Sequence, residues 1–369
     1  MKNRPASASA FGLPSTSSRR SVLKGAGLLG LAALSGGGLV ACGQSNTGSS
    51  GGSNANTVKL GLSVPFLTTP FFAVLDAYTK SEVQAQGISM LETTNANQDA
   101  GKQLTDVRSL VSLGATGILA GVVDNKAIKP ALDYCEQQKV PFVALDDAPG
   151  AGKVYIVVRA DNKEMGATSA KKMAELIGGK GKVLSLQGDL ATTNGKDRSD
   201  GFREYMQANH PQVEVIERAA KWQGPLAGSI TATILTQTPD LAGIYMQADT
   251  TYGSAVLASL KSADRLYPAG NPKHMPLVAI DGGAEGLDAV RNGTIDAIVS
   301  QPLDGYAKYG VEYVKKAAAG EQPKTGKTDH NSEIVEFQGN LMDLLPATLV
   351  TKDNVDDKAL WGNSPKAKA

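Results

Sequence analysis

Cysteine and histidine are scarce in this chain of 369 residues, and their scarcity argues against several kinds of chemistry. The two cysteines are Cys42 and Cys135, and three histidines lie far apart in the sequence, at His210, His274 and His330. None of them falls into an HExxH or CxxC motif, so no local signature of a metal site is present. We therefore expect no metal ion, no cofactor and no catalytic residue.

The chain also lacks an excess of either charge, with 37 lysines and arginines against 36 aspartates and glutamates. Proteins that bind nucleic acid usually carry a strongly basic surface, so no nucleic-acid partner is expected. Aromatic residues make up only 5% of the chain. Its length suggests about two domains after any targeting segment is removed.

Residues 1–41 have the features of an export signal. They contain no acidic residue, and their basic residues are Lys2, Arg4, Arg19, Arg20 and Lys24. The apolar stretch at 22–40 is too short and too rich in glycine for a comfortable transmembrane helix. A basic start, a short apolar core and small residues before a cleavage site predict a signal peptide over residues 1–41.

Two short motifs refine this prediction. The segment 18–24, SRRSVLK, resembles the twin-arginine export signal, and the segment 39–42, LVAC, resembles the bacterial lipobox. This resemblance implies that Cys42 carries a lipid, so that Cys135 would have no intramolecular disulfide partner. Residues 43–56 are all small or polar and predict a flexible tether. The expected location is the outer face of the cytoplasmic membrane or the periplasm, with contact to the membrane through the lipid only. The alternative is a chance arginine pair and a chance cysteine.

From residue 58 onward, β-rich runs alternate with segments of helical periodicity. This alternation predicts an α/β protein with parallel sheets covered by helices on both faces. Such sheets bind ligands beyond the carboxyl ends of their strands. Polar and aromatic residues follow the predicted strands at 68–72, 124–125, 146–147, 247–249, 281–283 and 301–302. For each single aspartate among them, the open alternative is a helix N-cap.

Several motifs in order resemble the type I periplasmic binding proteins, specifically the binders of ribose and related sugars, over residues 57–357. The main ones are TPFF at 69–72, VALDD at 143–147, ADN at 160–162, QG at 187–188 with Arg198 and GF at 201–202, Asp249, DG at 281–282, and Gln301. The resemblance implies two doubly wound parallel-sheet domains joined by three crossovers, near Asp161, Pro302 and Asn331. The implied lobes are residues 57–160 plus 302–330 and residues 161–301 plus 331–357, with a C-terminal tail at 358–369. We expect a monomer.

The resemblance also implies a set of ligand-binding residues, which are Thr69, Phe71, Phe72, Asp146, Asp147, Arg198, Trp222, Asp249, Asp281 and Gln301. Phe71, Phe72 and Trp222 would be walls for the apolar face of a sugar ring, although the phenylalanines could also be ordinary helix core. Asp146, Asp281, Arg198 and Gln301 would bind hydroxyls. The ribose-type pattern has Asn where Thr69 stands, Arg where Asp147 stands and Asn where Ala248 stands. These departures leave the fold assignment intact and the ligand open.

The implied function is the capture of a small sugar or polyol and its delivery to the permease subunits of an ABC importer. Four aspartates are expected near the cleft against one arginine, which favours a neutral ligand over an anion. One alternative is a signalling receptor of the same fold, such as an autoinducer-2-type receptor. An exported enzyme is less favoured, because catalytic signatures are missing. DNA-binding repressors share the fold, but an export signal occupies the place of their DNA-binding motif.

Overall fold

The computed structural model describes residues 58–367. The predicted signal peptide, Cys42 and the tether therefore lie outside the described residues. Within the described range, strands and helices alternate and form two sheets, each covered by helices on both faces. We refer to the two parts of the molecule as the first lobe and the second lobe.

The first lobe contains a nine-stranded sheet with the order β12-β13-β14-β6-β5-β4-β1-β2, and β3 also pairs with β1. Its strands are β1 (Lys59–Val64), β2 (Ser89–Met90), β3 (Thr94–Asn95), β4 (Gly117–Gly121), β5 (Phe142–Leu145), β6 (Ile156–Ala160), β12 (Gly326–Lys327), β13 (Glu333–Phe337) and β14 (Asn340–Leu345). Its helices are α1 (Pro70–Ala85), α2 (Ala100–Ser112), α3 (Lys129–Gln137) and α9 (Leu303–Ala318). The central strands are buried along their whole length, as expected for parallel strands covered on both faces.

The second lobe contains a six-stranded sheet with the order β15-β11-β10-β9-β7-β8, in which only β15 is antiparallel to its neighbour. Its strands are β7 (Gly181–Gln187), β8 (Val213–Ala219), β9 (Leu241–Met246), β10 (Leu277–Asp281), β11 (Ala297–Ser300) and β15 (Thr348–Val350). Its helices are α4 (Asn162–Ile177), α5 (Thr193–Asn209), α6 (Gly224–Gln237), α7 (Asp249–Ser262) and α8 (Ala284–Arg291).

Helices α4 and α5 pack closely because two glycines lie at their contact. A Cβ atom at Gly166 would lie 2.4 Å from the carbonyl oxygen of Arg198, and one at Gly201 would lie 2.0 Å from that of Lys163. Any side chain at these positions would push the helices apart. This contact fixes the start of α5, which carries Arg198 toward the space between the lobes.

The chain passes between the two sheets at Asp161, at residues 301–302 and at residues 346–347. The third position corrects the expected crossover near Asn331. Strand β13 forms an antiparallel hairpin with β14, and β14 pairs in parallel with β6 of the first sheet. The buried side chains of Ile334, Met342 and Leu345 extend the first lobe's core, so residues 331–345 belong to that lobe.

The C-terminal residues also differ from the expectation of a separate tail. This region contains two short 3-10 helices, Trp361–Asn363 and Pro365–Ala367. The first packs against α8 of the second lobe, and the second packs against α1 of the first lobe. Trp361 is only 2% exposed. Residues 358–367 are thus part of the folded molecule.

Candidate functional site

A cavity of about 370 Å³ lies between the lobes, where the carboxyl ends of strands from both sheets face each other. Doubly wound sheets bind ligands at such strand ends. Its lining residues are Pro65, Phe66, Thr69, Phe71, Phe72, Gln98, Ala100, Val122, Val123, Asp124, Asp146, Asp147, Asp189, Thr192, Asn194, Arg198, Lys221, Trp222, Gln223, Ala248, Thr250, Thr251, Asp281 and Gln301.

The first turn of α1 supplies an apolar wall. Pro70 occupies the first position of this helix, where its fixed φ and missing N–H are tolerated. Phe72 packs edge-to-face against both Phe66 and Phe71, with ring centroids 5.0 Å apart in each pair. Thr69 is the N-cap residue, yet its side chain caps no helix N–H, and its buried Oγ1 has no hydrogen-bond partner among the described residues. The hydroxyl therefore remains available to a group in the cavity.

Trp222 supplies the facing aromatic wall from the second lobe. Its backbone has a φ of 55°, an uncommon left-handed conformation for a bulky residue. The backbone N–H of Trp222 donates to the hydroxyl of Tyr252 at 3.0 Å, which supports this turn. The indole lies directly against Gly188, where a Cβ atom would be 2.1 Å from the ring. Only glycine leaves room for the indole in this position.

Arg198 is held rigidly at the base of the cavity. Its Nε donates to Oδ1 of Asn162 at 2.6 Å, and its Nη1 donates to the carbonyl oxygen of Gln247, also at 2.6 Å. The guanidinium lies over the ring of Trp222, 5.7 Å from its centroid, and 3.6 Å from Oδ1 of Asp281. The side chain is 3% exposed. These contacts place a fixed planar donor beside the aromatic wall.

Asp281 and Gln301 belong to a network of hydrogen bonds that connects the second lobe with the first lobe near the crossovers. Gln301 Nε2 donates to Oδ1 of Asp281 at 2.7 Å, and Thr250 Oγ1 donates to Oδ2 at 2.6 Å. Tyr306 of α9 donates its hydroxyl proton to Oε1 of Gln301 at 2.9 Å and accepts from the backbone N–H of Ala160 at 2.7 Å. Burial raises the pKa of Asp281 to about 6, although Arg198 opposes the shift.

Asp146 and Asp147 follow β5 and have different surroundings. Asp146 has a φ of 66°, is 9% exposed, and its buried Oδ1 has no partner within residues 58–367. Burial raises its pKa, while Arg198 and Arg159 oppose the shift. Burial also raises the pKa of Asp147 to about 7, opposed by Arg159 and reinforced by Asp146. A strained residue with an unpaired buried carboxylate oxygen is typical of a binding site.

Asp147 also joins the two lobes at the cleft. Its Oδ1 accepts from the backbone N–H of Ala148 at 3.0 Å and from that of Asn194, at the start of α5, at 3.2 Å. Arg159 of the first lobe, which is 2% exposed, donates to Oδ1 of Asn194 at 2.8 Å and pairs with Asp197 at 2.9 Å. These contacts require the lobes to lie close together.

The cavity lining carries more negative than positive charge. The described lining residues include two basic side chains, Arg198 and Lys221. They include five acidic side chains, which are Asp124, Asp146, Asp147, Asp189 and Asp281. The sequence led us to expect Arg198 as the single strong base. Arg159 is a second buried base behind the lining, and it adds to the positive side of this balance. Oxygen-rich walls with few bases suit a ligand that donates hydrogen bonds and carries no negative charge.

Nine of the ten predicted site residues line the cavity, and Asp249 does not. Asp249 lies behind the wall, where its Oδ1 accepts from the backbone N–H of Gly282 at 3.0 Å. A Cβ atom at Gly286 would lie 1.7 Å from its Oδ2, so the carboxylate is packed against α8. Burial and the neighbouring Asp281 raise its pKa well above the usual range. The cavity lining does not include this predicted ligand contact, because the side chain of this first residue of α7 turns toward the next strand–helix loop.

Sequence reasoning missed several lining residues. Phe66 and Asp189 come shortly after β1 and β7, so the strand-end rule could have included them, whereas Asp124 after β4 was noted at a strand end but not placed among the binding residues. Asp124 also caps its own turn, since its Oδ1 accepts from the N–H groups of residues 126 and 127. Gln98 and Asn194 had no comparable signal, because their places in the cavity depend on loop paths and on how the lobes meet.

Two further properties concern metals and membranes. Within residues 58–367, no group of three or more His, Cys, Asp or Glu side chains is arranged to hold a metal ion. In the same range, no helix is both long enough and apolar enough to cross a bilayer.

Two lobes with parallel sheets and a polar, aromatic-walled cleft between them define a solute-binding protein. A sequence-family profile described as a periplasmic binding protein domain matches residues 60–322. The chain belongs to this family, and its relatives place it among the type I periplasmic sugar-binding proteins.

Individual relatives agree with this assignment. The chain is 27% identical to a ribose import binding protein from Salmonella typhimurium, over 71% of this chain and 86% of that protein. It is also 27% identical to a xylitol-binding protein from Mycolicibacterium smegmatis, over 92% of this chain and 87% of that protein. An ABC transporter solute-binding protein from Mycobacterium smegmatis, solved with bound glycerol, superposes with a TM-score of 0.71 at 25% identity, covering 81% of this chain and 96% of the other.

Proposed function

We propose that this protein captures a small neutral sugar or polyol in the cleft and delivers it to the permease of an ABC importer. The observation that carries the proposal is the convergence of unpaired or fixed polar groups between two aromatic walls. The buried Oδ1 of Asp146 and the hydroxyl of Thr69 lack partners among the described residues, and Arg198 is fixed beside Trp222. A polyhydroxylated ligand would satisfy these groups, because each hydroxyl both donates and accepts.

The size of the cavity supports a small ligand. About 370 Å³ lies at the lower end of the range for small-molecule sites, which suits a single sugar ring or a short polyol. Phe72 and Trp222 enter from different lobes, so a ligand between them would touch both. Binding that contacts both lobes favours their closed arrangement.

The charge of the lining supports a neutral ligand. An anion such as a uronic acid would meet at least as many carboxylates as bases in a poorly solvated space. An amino sugar remains compatible, because Asp147 could pair with an ammonium group. The position of Asp147, where the ribose-type pattern has arginine, argues against ribose as the specific ligand. The similarity to a xylitol-binding protein over 92% of the chain makes xylitol the first compound to test.

The proposal includes export and anchoring. The arginine pair and the cysteine at the predicted cleavage site support a lipid on Cys42 that holds the protein at the outer face of the cytoplasmic membrane or in the periplasm. The tether at 43–56 would let the binding lobes work beside the membrane. The role involves no catalysis and no cofactor, and a monomer suffices for it.

The proposal is tested by isothermal titration of the purified protein with xylitol, D-ribose, D-glucose, D-glucosamine and D-glucuronic acid. We expect a neutral compound or D-glucosamine to bind, with Asp146→Ala weakening that binding at least tenfold. Tightest binding to D-glucuronic acid would contradict the assignment of a neutral ligand. Loss of D-glucosamine binding in Asp147→Asn, with neutral sugars unaffected, would identify Asp147 as the selector of an amino group.

A further inference from the structure

The C-terminal segment, residues 358–367, contacts both lobes beside the ligand cavity. It follows the last strand of the second lobe, and Trp361 is its most buried large side chain. Trp361 does not line the cavity itself. Two residues that it contacts, Phe71 and Asp281, do line the cavity. The segment therefore lies directly behind two residues that the proposed function places against the ligand.

The contact with the second lobe is polar and close. The indole Nε1 of Trp361 donates to the backbone carbonyl oxygen of Asp281 at 2.8 Å. The next residue, Gly362, approaches the following loop so closely that a Cβ atom would lie 2.3 Å from the carbonyl oxygen of Gly282. Asp281 has a φ of 116°, a strained backbone conformation for a residue other than glycine. The indole hydrogen bond holds that backbone, and with it the carboxylate that Gln301 and Thr250 orient.

The contact with the first lobe is aromatic and cationic. The ring of Trp361 meets that of Phe71 at 90°, with centroids 6.3 Å apart. Further along, Lys366 places its ammonium group 5.1 Å from the centroid of Tyr78 on α1. Ala367 packs against an apolar cluster that includes residues of α1, and its 3-10 helix contacts α1. The segment thus runs from α8 of one lobe to α1 of the other, and it links the lobes in addition to the three crossovers.

We propose that residues 358–367 form a strap between the lobes and that Trp361 is a positioning residue, which holds Phe71 and Asp281 in the arrangement that binds the ligand. The part of this proposal that concerns affinity rests on the proposed function. A site whose contact residues are fixed before binding loses less conformational freedom when the ligand arrives. A link beside the crossovers also limits how far the lobes can separate. The strap therefore raises affinity and restricts opening of the cleft.

The affinity test uses full-length protein purified in detergent, with xylitol as the first probe and the tightest neutral binder of the panel if xylitol does not bind. We compare Trp361→Phe, which keeps an aromatic ring but removes the N–H donor, with Trp361→Ala, which removes both contacts. We expect dissociation constants to rise a few-fold in the first variant and on the order of tenfold or more in the second. Removal of residues 368–369 alone is the control and should leave the dissociation constant unchanged. Equal affinities in wild type and both variants, with unchanged melting temperatures, would overturn the proposal.

A second measurement needs no ligand and separates the strap from the proposed function. Small-angle scattering of the ligand-free protein should show a larger radius of gyration after removal of residues 358–369 than after removal of residues 368–369. Circular dichroism confirms that both truncated proteins are folded, and Trp361→Ala is measured in parallel in case the larger truncation unfolds. Identical radii would refute the strap even if sugars bind. A larger radius would support it even if no compound in the panel binds.

The chain has two tryptophans, which allow a third measurement, by tryptophan fluorescence. A Trp361 side chain that only filled space would not give the expected result. In Trp222→Phe, Trp361 is the remaining tryptophan, and its surroundings include residues of both lobes. Saturating xylitol, or the tightest neutral binder, should shift its emission because the lobes move against each other around it. Bound compound without any change in emission would mean that Trp361 does not sense the arrangement of the lobes, which contradicts its place in a strap between them.

Discussion

At the scale of single residues, the cavity depends on backbone conformations that most side chains avoid. Asp146, Trp222 and Asp281 all have positive φ angles, and all three line the cavity. Such conformations persist only where surrounding contacts support them. Asp281 is supported by the indole of Trp361, and Trp222 by the hydroxyl of Tyr252. The strain is concentrated where each side chain must point into the cleft.

Gly188 provides a residue-scale prediction about the aromatic wall. We expect Gly188→Ala to weaken binding of the best neutral ligand on the order of tenfold or more, because the new methyl group would displace the Trp222 indole. Isothermal titration measures the change. Gly253→Ala is the matched control, since a Cβ atom there meets nothing within 4 Å. Equal affinity in the two variants would show that the position of the indole does not matter for binding.

Asp147 provides a prediction about pH. Its folded pKa of about 7 lies above the ordinary value of 3.8, so the folded protein retains a proton that the unfolded chain has lost. The stability that this group contributes is therefore greatest below pH 4 and is lost as the pH rises through 7. Asparagine carries no charge, and its side-chain oxygen can still accept from the N–H groups of Ala148 and Asn194.

We thus expect the stability of wild type relative to Asp147→Asn to fall between pH 5 and pH 7. The limiting slope is about 1.4 kcal/mol per pH unit for one proton. Urea unfolding at pH 5, 6 and 7 measures this difference, and the effects of titrating groups that do not interact with Asp147 cancel in the comparison. Parallel pH profiles for the two proteins would mean that burial does not perturb this carboxyl as described.

At the scale of elements, the contact between α4 and α5 determines where the second lobe's residues on α5 lie relative to the cleft. Arg198 lies on α5, and the start of the same helix carries Asn194, which accepts from Arg159 of the first lobe. The distance between the two helices therefore affects both the site and the contact between lobes. Glycines at 166 and 201 set that distance.

We expect Gly201→Ala to destabilise the protein by about 1–3 kcal/mol, because its methyl group would overlap the carbonyl oxygen of Lys163. Chemical denaturation monitored by circular dichroism measures the free energy of unfolding. The control Gly253→Ala should be neutral or raise stability by up to about 1 kcal/mol, since alanine is the better helix former in open space. A neutral effect of Gly201→Ala would imply that the helices separate easily.

At the scale of the whole molecule, the two lobes meet through crossovers, through the contacts around Asp147 and through residues 358–367. Short crossovers permit hinge motion, while the contacts at the cleft form only when the lobes are close. A ligand that touches both lobes shifts the population toward the closed arrangement. We therefore expect closure to be coupled to binding in this molecule.

We expect the radius of gyration to decrease when the protein is saturated with its tightest neutral ligand, measured by small-angle scattering. Gly188→Ala at the same ligand concentration is the control, since weakened binding should leave more of it in the open form. An unchanged radius in ligand-saturated wild type would argue against hinge closure.

Local sequence patterns determined a large part of this fold. Short apolar runs such as 117–121 and 142–145 are typical of strands inside a covered parallel sheet, and the segments between them have helical periodicity. The patterns missed several strands, which are β3, β6 and β12 to β15. Most of these strands are short or lie near the sheet edge or the hinge. Their assignment depends on pairing partners, as with β14, which joins β6 of the first lobe.

The residue types of the cleft were likewise visible in the sequence, because parallel strands bring their carboxyl ends to one edge. Only the tertiary structure decided which side chains face the cavity. Asp249 follows a strand as Asp281 does, yet it turns behind the wall and supports the neighbouring loop. Arg159 and Trp361 act from outside the cavity through contacts between segments far apart in the chain. No local pattern encodes such contacts, since they arise only when two lobes and the C-terminal segment pack together.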